Sequence, residues 1–309
     1  MKVIANNLEF EVEDSASINP QDADLQARPV VVLIMGLGMQ LVAWPDNFVS
    51  DLVDAGFRVI RFDNRDIGLS SHLDAFGRPN ILWEALKHKL GLRNKAPYSL
   101  ADMATDTLGI LDAMGIKRAH IVGVSMGGMI AQRVTIAAPG RVLSLTSIMS
   151  SSGARGLPQP DKRITRLLTR RPAGSGMEAL VAHSVKLFQA IGSPAYPTSE
   201  EELHARVLAA AQRSTHPMGI LRQMVAIVAD RDRAEQLRSI QCPTLVVHGD
   251  ADPLVPVAHG QDTAQRIIGA RMVTIEGMGH DLPPEPVTQI LNALIPHLQQ
   301  AQRKAQHAE

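Results

Sequence analysis

The stretch "AHIVGVSMGGMIAQ" (Ala119–Gln132) decides the fold, because an apolar run passes through Gly123, Ser125 and Gly127 and then continues. This is the pattern G-x-S-x-G, placed where a predicted strand gives way to a predicted helix. A residue on so sharp a turn has a strained backbone, and small neighbours keep it free of collisions. The pattern therefore predicts that Ser125 points out of a sheet as a nucleophile. The alternative is a glycine-rich turn without chemistry.

Strand and helix patterns alternate on both sides of that stretch, which is typical of an α/β fold with a mostly parallel central sheet flanked by helices. Predicted strands cover 29–36, 57–63, 119–124, 142–151, 243–250 and 270–277, and residues 2–13 predict a hairpin with Asn6-Asn7 at its turn. Predicted helices cover 44–56, 99–115, 126–138, 257–269 and 285–301, and a polar, frayed tail is expected from about 299.

Residues 153–236 break this alternation, because they contain helical patterns and no clear strand. The helical segments are 160–170, 176–192, 201–213 and 219–230, and a further amphipathic helix is predicted over 81–92. The insertion follows the sixth predicted strand, so it is expected to cover the carboxyl edge of the sheet, where ligands bind in open α/β folds. We therefore predict an α/β core (1–152 and 237–309) with a helical cap, or lid, domain (153–236).

A serine nucleophile needs a histidine base and a carboxylate, which in this architecture follow in the order serine, acid, histidine. Asp250 and Asp252 come directly after one late strand, and His280 follows the next strand. All three share the carboxyl edge of the sheet with Ser125. Of the two acids we favour Asp252. Asp250 directly follows His248-Gly249, where shaping the turn is a sufficient role for it.

The other histidines lack this combination of order and edge. His120 begins a strand at its opposite end, and His248 lies within the acid-bearing strand, where it is expected to pack. Most of the rest fall on predicted helices or in the insertion: His88, His183, His204, His259 and His297.

The loop "MGLGMQ" (35–40) follows the first central strand and predicts an oxyanion hole. The backbone amides of Leu37 and Met126 are the expected donors, the second at the start of the helix after Ser125. Because its glycines let the backbone approach a ligand, the loop is also expected to bind substrate through Gly36, Gly38 and Met39. The alternative is a plain glycine-rich turn.

The composition predicts a soluble protein, and the expected partner is a small-molecule ester substrate. The 309 residues carry 31 basic and 31 acidic side chains, a formal net charge of +0, which gives no reason to expect nucleic acid or a membrane surface as a partner. No secretory signal or membrane-spanning run is visible, and the one cysteine, Cys242, fits a reducing compartment, so we expect a cytoplasmic protein. No metal-ligand spacing and no cofactor motif is present, while the oligomeric state is not readable.

Ser125, Asp252, His280 and the "MGLG" loop together resemble the α/β-hydrolase fold superfamily over about residues 29–298. "FDNRDIGLS" (62–70), "HGDADPLVP" (248–256) and "GMGHDLP" (277–283) are similar to further motifs of that superfamily. The resemblance implies a serine hydrolase with a helical cap, similar to the aclacinomycin methylesterase-like and carboxylesterase group, and it implies Asp252 as the acid.

Two features qualify that resemblance. Relatives often carry histidine before the oxyanion glycine, whereas this chain has Met35; the donor is a backbone amide, so function can survive the change. Epoxide hydrolases and haloalkane dehalogenases carry aspartate where this chain has Ser125, so their chemistry is not expected.

The expected reaction is cleavage of a carboxylic ester through an acyl-enzyme, with a methyl or other small-alcohol ester of a hydrophobic acid as substrate. The same residues could open a lactone, cleave a C–C bond, act as a proline iminopeptidase or form a peracid as a cofactor-free haloperoxidase does. A hypothesis of another class is a ligand receptor with little turnover.

Overall fold

A computed structural model describes residues 1–18, 23–80, 83–84, 86–87, 90, 92, 94–170 and 172–307. Its centre is a sheet of eight strands in the order β1-β2-β4-β3-β5-β6-β7-β8. The pairs β1–β2 and β2–β4 are antiparallel, and the six strands β3 to β8 run parallel to one another, which confirms the predicted fold class. The strands are, in chain order, Lys2–Ala5, Leu8–Asp14, Val30–Ile34, Arg58–Phe62, Ala119–Val124, Val142–Ile148, Thr244–Gly249 and Arg271–Ile275.

Helices join the parallel strands and form the segment between β6 and β7. They are numbered α1 to α11 within the described part of the chain: Ala23–Ala27, Asp46–Asp54, Leu100–Ala113, Met126–Ala137, Lys162–Thr169, Met177–Ile191, Glu200–Arg213, Pro217–Ala229, Arg233–Gln236, Ala258–Arg266 and Pro284–His307. Short 3-10 turns lie at Ser15–Ile18, Leu41–Ala43, Asp74–Phe76, Pro139–Arg141 and Leu237–Ser239.

The sheet is buried on both faces because successive side chains of each strand point to opposite sides. Along β3, Val30, Val32 and Ile34 belong to a core with α3 and α4, whereas Val31 and Leu33 belong to a core with α2 and α11. This explains why the parallel strands are continuous apolar runs in the sequence. It also leaves the carboxyl ends of these strands as the place where polar side chains can gather.

Residues 153–236, called the insert below, contain α5 to α9 and lie between β6 and β7. A small apolar cluster inside the insert joins α6 to α7 through Val181, Val185 and Ala211. A buried ion pair attaches α8 to the loop after β4. Arg222 donates two 2.8 Å hydrogen bonds to the Asp66 carboxylate, and both side chains are fully buried.

Several sequence expectations are corrected in detail. The frayed tail predicted from about 299 is wrong, because α11 continues to His307 and buries Leu298 and Ala301. The strand predicted over 142–151 ends at Ile148, and Met149 has a φ of 40°. The helix predicted over 81–92 falls in a stretch several of whose residues, including His88, lie outside the described ones.

Candidate active site

Ser125 sits on a strained turn between β5 and α4. Its φ of 55° and ψ of −119° are unusual for a residue with a side chain. A Cβ on Gly123 would lie 2.1 Å from the carbonyl oxygen of Gly127, and one on Gly127 would lie 2.0 Å from that of Ile34. The two glycines of the motif are therefore required by packing, as the sequence predicts.

Ser125, His280 and Asp252 come together in one chain of hydrogen bonds. The Nε2 atom of His280 lies 2.9 Å from Ser125 Oγ, and its Nδ1 atom lies 2.6 Å from Asp252 Oδ2. An ionised carboxylate can only accept, so Nδ1 carries the proton and Nε2 is free to accept one from the serine hydroxyl. The three side chains reach this arrangement from the ends of β5, β7 and β8.

The environment of Asp252 stabilises its ionised form. Its side chain is fully buried, and Oδ1 accepts hydrogen bonds from the backbone N–H groups of Leu254 (2.9 Å) and Val255 (2.8 Å). Burial alone would raise the pKa of Asp252, but the charge of His280 and the hydrogen bonds outweigh it, so this pKa lies well below its usual range. The group that faces His280 is thus a carboxylate.

Asp250, the competing acid, has a different place. Its Oδ1 accepts a 2.7 Å hydrogen bond from the N–H of Gly277, and this bond ties the loop after β7 to the loop after β8. His248 is fully buried in β7, and its Nε2 atom lies 2.7 Å from the carbonyl oxygen of Val255. The carbonyl can only accept, so His248 holds the segment that supplies the hydrogen bonds to Asp252.

The loop 35–40, called the oxyanion loop below, passes directly beside Ser125. A Cβ on Gly36 would lie 3.2 Å from Ser125 Cβ and 3.8 Å from Oγ. Met126 is the first residue of α4, so its N–H has no partner inside that helix. Within the described part of the chain, the amides of Leu37 and Met126 donate to no backbone carbonyl. Both amides remain available to a ligand at Ser125.

A cavity of about 2120 Å³ opens over these groups. The predicted residues Gly36, Gly38 and Met39 lie in its wall beside Ser125 and His280. The insert lines much of the rest of the cavity, and its larger apolar contributors are Leu167, Leu168, Leu180, Leu187, Phe188, Ile191, Ile220, Met224, Val225 and Val228. Basic side chains of the insert also belong to the lining: Arg163, Arg166, Arg170, Lys186, Arg206, Arg213 and Arg233. A large apolar molecule with one reactive polar group suits this space.

Sequence reasoning did not identify the residues that hold the site from outside. Ser150 Oγ donates a 2.7 Å hydrogen bond to the carbonyl oxygen of Ser125. Gln223 contacts the oxyanion loop, and Ser193 contacts the residues around His280. No motif marks these positions, because each contact joins segments far apart in the chain.

No set of three or more His, Cys, Asp or Glu side chains among the described residues is arranged to hold a metal ion. In the same part of the chain, no helix has the length and apolar character needed to cross a bilayer.

The chain belongs to the alpha/beta hydrolase fold family, whose model matches residues 29–286. It is similar to the rhodomycin D methylesterase DauP of Streptomyces sp. (strain C5), with 33% identity over 285 residues that cover 86% of this chain and 87% of the relative. It is also similar to the rhodomycin D methylesterase DnrP of Streptomyces peucetius, with 32% identity and the same coverage.

A solved structure agrees in fold. The enol-lactonase from Burkholderia xenovorans LB400 matches with a TM-score of 0.71 and 22% identity, covering 97% of this chain and all (100%) of that one. The match supports the architecture over nearly the whole chain.

Proposed function

We propose that this chain hydrolyses a carboxylic ester through an acyl-enzyme formed on Ser125. That it is a carboxylic ester hydrolase follows from its family and its likeness to methylesterases. The observation that carries the mechanism is the hydrogen-bonded series from Ser125 Oγ through His280 to Asp252, set in the wall of a large cavity.

The first half-reaction transfers the acyl group to the enzyme. Ser125 Oγ attacks the ester carbonyl while His280 Nε2 takes the hydroxyl proton. Asp252 keeps the Nδ1 proton in place and stabilises the imidazolium that forms. The amides of Leu37 and Met126 donate to the oxyanion of the tetrahedral intermediate. His280 then gives its proton to the leaving alcohol.

The second half-reaction returns the enzyme to its starting state. Water replaces the alcohol, His280 takes one of its protons, and the hydroxide attacks the acyl carbon. Collapse of the second tetrahedral intermediate breaks the bond to Ser125 Oγ, which recovers its proton from His280. Every proton transfer thus passes through the same Nε2 atom.

The size and apolar lining of the cavity favour an ester with a large hydrophobic part, which we assign to the acid. The apolar wall contributed by the insert offers area to the acid, and burial of apolar surface supplies binding energy. The two relatives named as methylesterases act on a methyl ester, which agrees with a small leaving group. In this proposal, residues 153–236 act as a cap that selects the acid.

The test is hydrolysis of p-nitrophenyl esters of increasing acyl length by the wild type and by Ser125→Ala. We expect wild-type kcat/KM to rise with acyl length and the variant to lose all but a residual activity, since the three side chains act as a unit. Equal activity in both proteins would mean that Ser125 only makes a turn. A wild type that retains a ligand tightly but turns nothing over would favour the receptor alternative.

A further inference from the structure

The oxyanion loop is held by a side chain of the insert. Gln223, on α8, is fully buried, and its Oε1 accepts a 2.9 Å hydrogen bond from the N–H of Gly38. Its Nε2 donates to the carbonyl oxygen of Arg65 at 3.0 Å. One amide side chain therefore joins the insert to the oxyanion loop and to the loop after β4, with both of its polar ends used.

This contact is well placed to set the direction of the Leu37 amide. Gly36 lies against Ser125, and Gly38, with a φ of 69°, is bonded to Gln223, so Leu37 is fixed between two anchored neighbours. The Met35 side chain has no N–H or O–H donor and offers the loop only a weak thioether acceptor. The loop depends instead on partners from elsewhere in the chain, of which Gln223 is one.

The insert also holds the segment around His280. The His280 N–H donates to the carbonyl oxygen of Ile191 at 2.7 Å, at the end of α6. Ser193 Oγ accepts a 2.8 Å hydrogen bond from the N–H of Gly279 and lies 2.5 Å from Asp281 Oδ1, to which it donates. His280 and the residues on both sides of it are thus hydrogen-bonded to residues 191–193, a junction at the end of α6.

Packing at this junction is tight. Ser193 is 3% exposed, and a Cβ on Gly279 would lie 2.4 Å from the carbonyl oxygen of Gly192. Burial raises the pKa of the Asp281 carboxyl, a group that takes no part in the steps described above. The Asp281 carboxylate accepts a hydrogen bond from Ser193. Because Asp281 directly follows His280, the Ser193–Asp281 pair connects the insert to the histidine.

We propose that the insert belongs to the catalytic apparatus: Gln223 positions the oxyanion loop, and Ser193 with Asp281 positions His280. The inference rests on the proposed function. Both contacts act through other residues, so Gln223 and Ser193 are positioning residues. Their loss misplaces groups that act in the transition state and therefore lowers kcat more than it raises KM.

The experiment compares Gln223→Met, Ser193→Ala and the double variant of the full chain in p-nitrophenyl ester hydrolysis. Each single change is expected to lower kcat about 10- to 100-fold with KM changed less than about threefold. Because the two contacts hold different loops, the losses should multiply in the double variant. Ser199→Ala is the matched control: it removes the N-cap of α7 in the same insert and contacts neither loop.

Hydrogen exchange gives a readout that does not depend on activity. Gln223→Met should speed exchange in peptides covering 35–40 and leave 277–281 unchanged, whereas Ser193→Ala should do the reverse. Uniformly faster exchange across the chain in Gln223→Met or Ser193→Ala would indicate general loosening and overturn the proposal.

Kinetic outcomes separate this inference from the function it rests on. Wild-type kcat in both variants, together with a loss of activity in Ser125→Ala, would overturn the positioning role and leave the esterase proposal standing. Hydrolysis that Ser125→Ala does not affect would overturn the esterase proposal and with it the catalytic role of both residues.

Discussion

Asp252→Asn is an informative substitution because the surroundings of Asp252 decide which way the new amide must face. Oδ1 accepts from the N–H groups of Leu254 and Val255, and Oδ2 faces His280 Nδ1 at 2.6 Å. An asparagine that keeps both backbone hydrogen bonds must direct its oxygen toward them. Its amino group then points at His280.

That orientation reverses the tautomer of the histidine. Facing an amino group, Nδ1 must accept, so the proton moves to Nε2 and His280 can no longer take the proton of Ser125. The opposite amide orientation would leave two buried N–H donors unpaired, at about 1 to 3 kcal/mol each. A total of at least about 2 kcal/mol keeps the competent tautomer at a few per cent or less.

The missing negative charge adds to this loss, because the imidazolium formed in the transition state is no longer stabilised. Together the two effects should lower kcat by about 10³- to 10⁴-fold, equivalent to about 4 to 5.5 kcal/mol. KM should change less than about threefold, since Asp252 does not touch the substrate in the proposed mechanism.

The assay is steady-state hydrolysis of a p-nitrophenyl ester, with Asp250→Asn as the matched control. Asp250 accepts one N–H, from Gly277, and an asparagine oxygen can still accept it, so kcat should stay within about threefold of wild type. More than a tenth of wild-type kcat in Asp252→Asn would refute the tautomer reasoning. A larger loss of kcat in Asp250→Asn than in Asp252→Asn would show that Asp250, and not Asp252, is the acid.

Three further predictions concern stability, each measured by urea unfolding. Gly127→Ala places a Cβ 2.0 Å from the carbonyl oxygen of Ile34 and should cost about 3 kcal/mol or more. Arg222→Met leaves Asp66 buried without its bidentate partner and should cost about 3 to 5 kcal/mol. Burial lowers the pKa of His120 from 6.5 to about 4. The contribution of neutral His120 to the free energy of unfolding is therefore complete above pH 6.5 and is lost as the pH falls toward 4. His120→Asn should therefore lose about 3 kcal/mol less than wild type over that interval.

Each stability prediction has a control within the chain. Gly140→Ala adds a Cβ with no atom within 4 Å and should leave the free energy of unfolding unchanged, so an equal loss would contradict the collision at Gly127. Arg238→Met removes an exposed ion pair with Glu235 and should cost less than about 1 kcal/mol. Parallel curves of stability against pH for wild type and His120→Asn would show that His120 does not titrate in this interval.

The sequence predicted the geometry of the candidate site well where that geometry depends on local patterns. G-x-S-x-G specifies both a turn and a packing requirement, so Ser125 could be placed at the end of β5 from a few letters. His280 followed from chain order and from the edge at which parallel strands end. Asp252 and Asp250 could not be separated by spacing alone, because both follow β7. Only the loop conformation turns one toward His280 and the other toward Gly277.

The contacts of the insert could not be predicted because they join distant parts of the chain. Gln223 and Gly38 are separated by 185 positions, and Ser193 and Asp281 by 88. Neither Gln223 nor Ser193 belongs to a motif: the sequence presents Gln223 as an ordinary helix residue and Ser193 as an ordinary polar residue of the segment after a helix. The end of α11 was missed for a related reason: its polar last turns are ordered by tertiary contacts, including the approach of Gln302 to His120.

Attachment of the insert to both loops has a consequence for the way binding energy is used. The residues of α6 that line the cavity, such as Leu187 and Phe188, belong to the helix whose last carbonyl, that of Ile191, holds the His280 amide. In the proposed mechanism, a hydrophobic acid packed against α6 contacts the helix that positions the base. Binding energy from this remote contact would then improve alignment in the transition state as well as affinity. On this proposal the insert selects substrates through kcat as well as KM, because an ester that leaves α6 uncovered leaves His280 less firmly held.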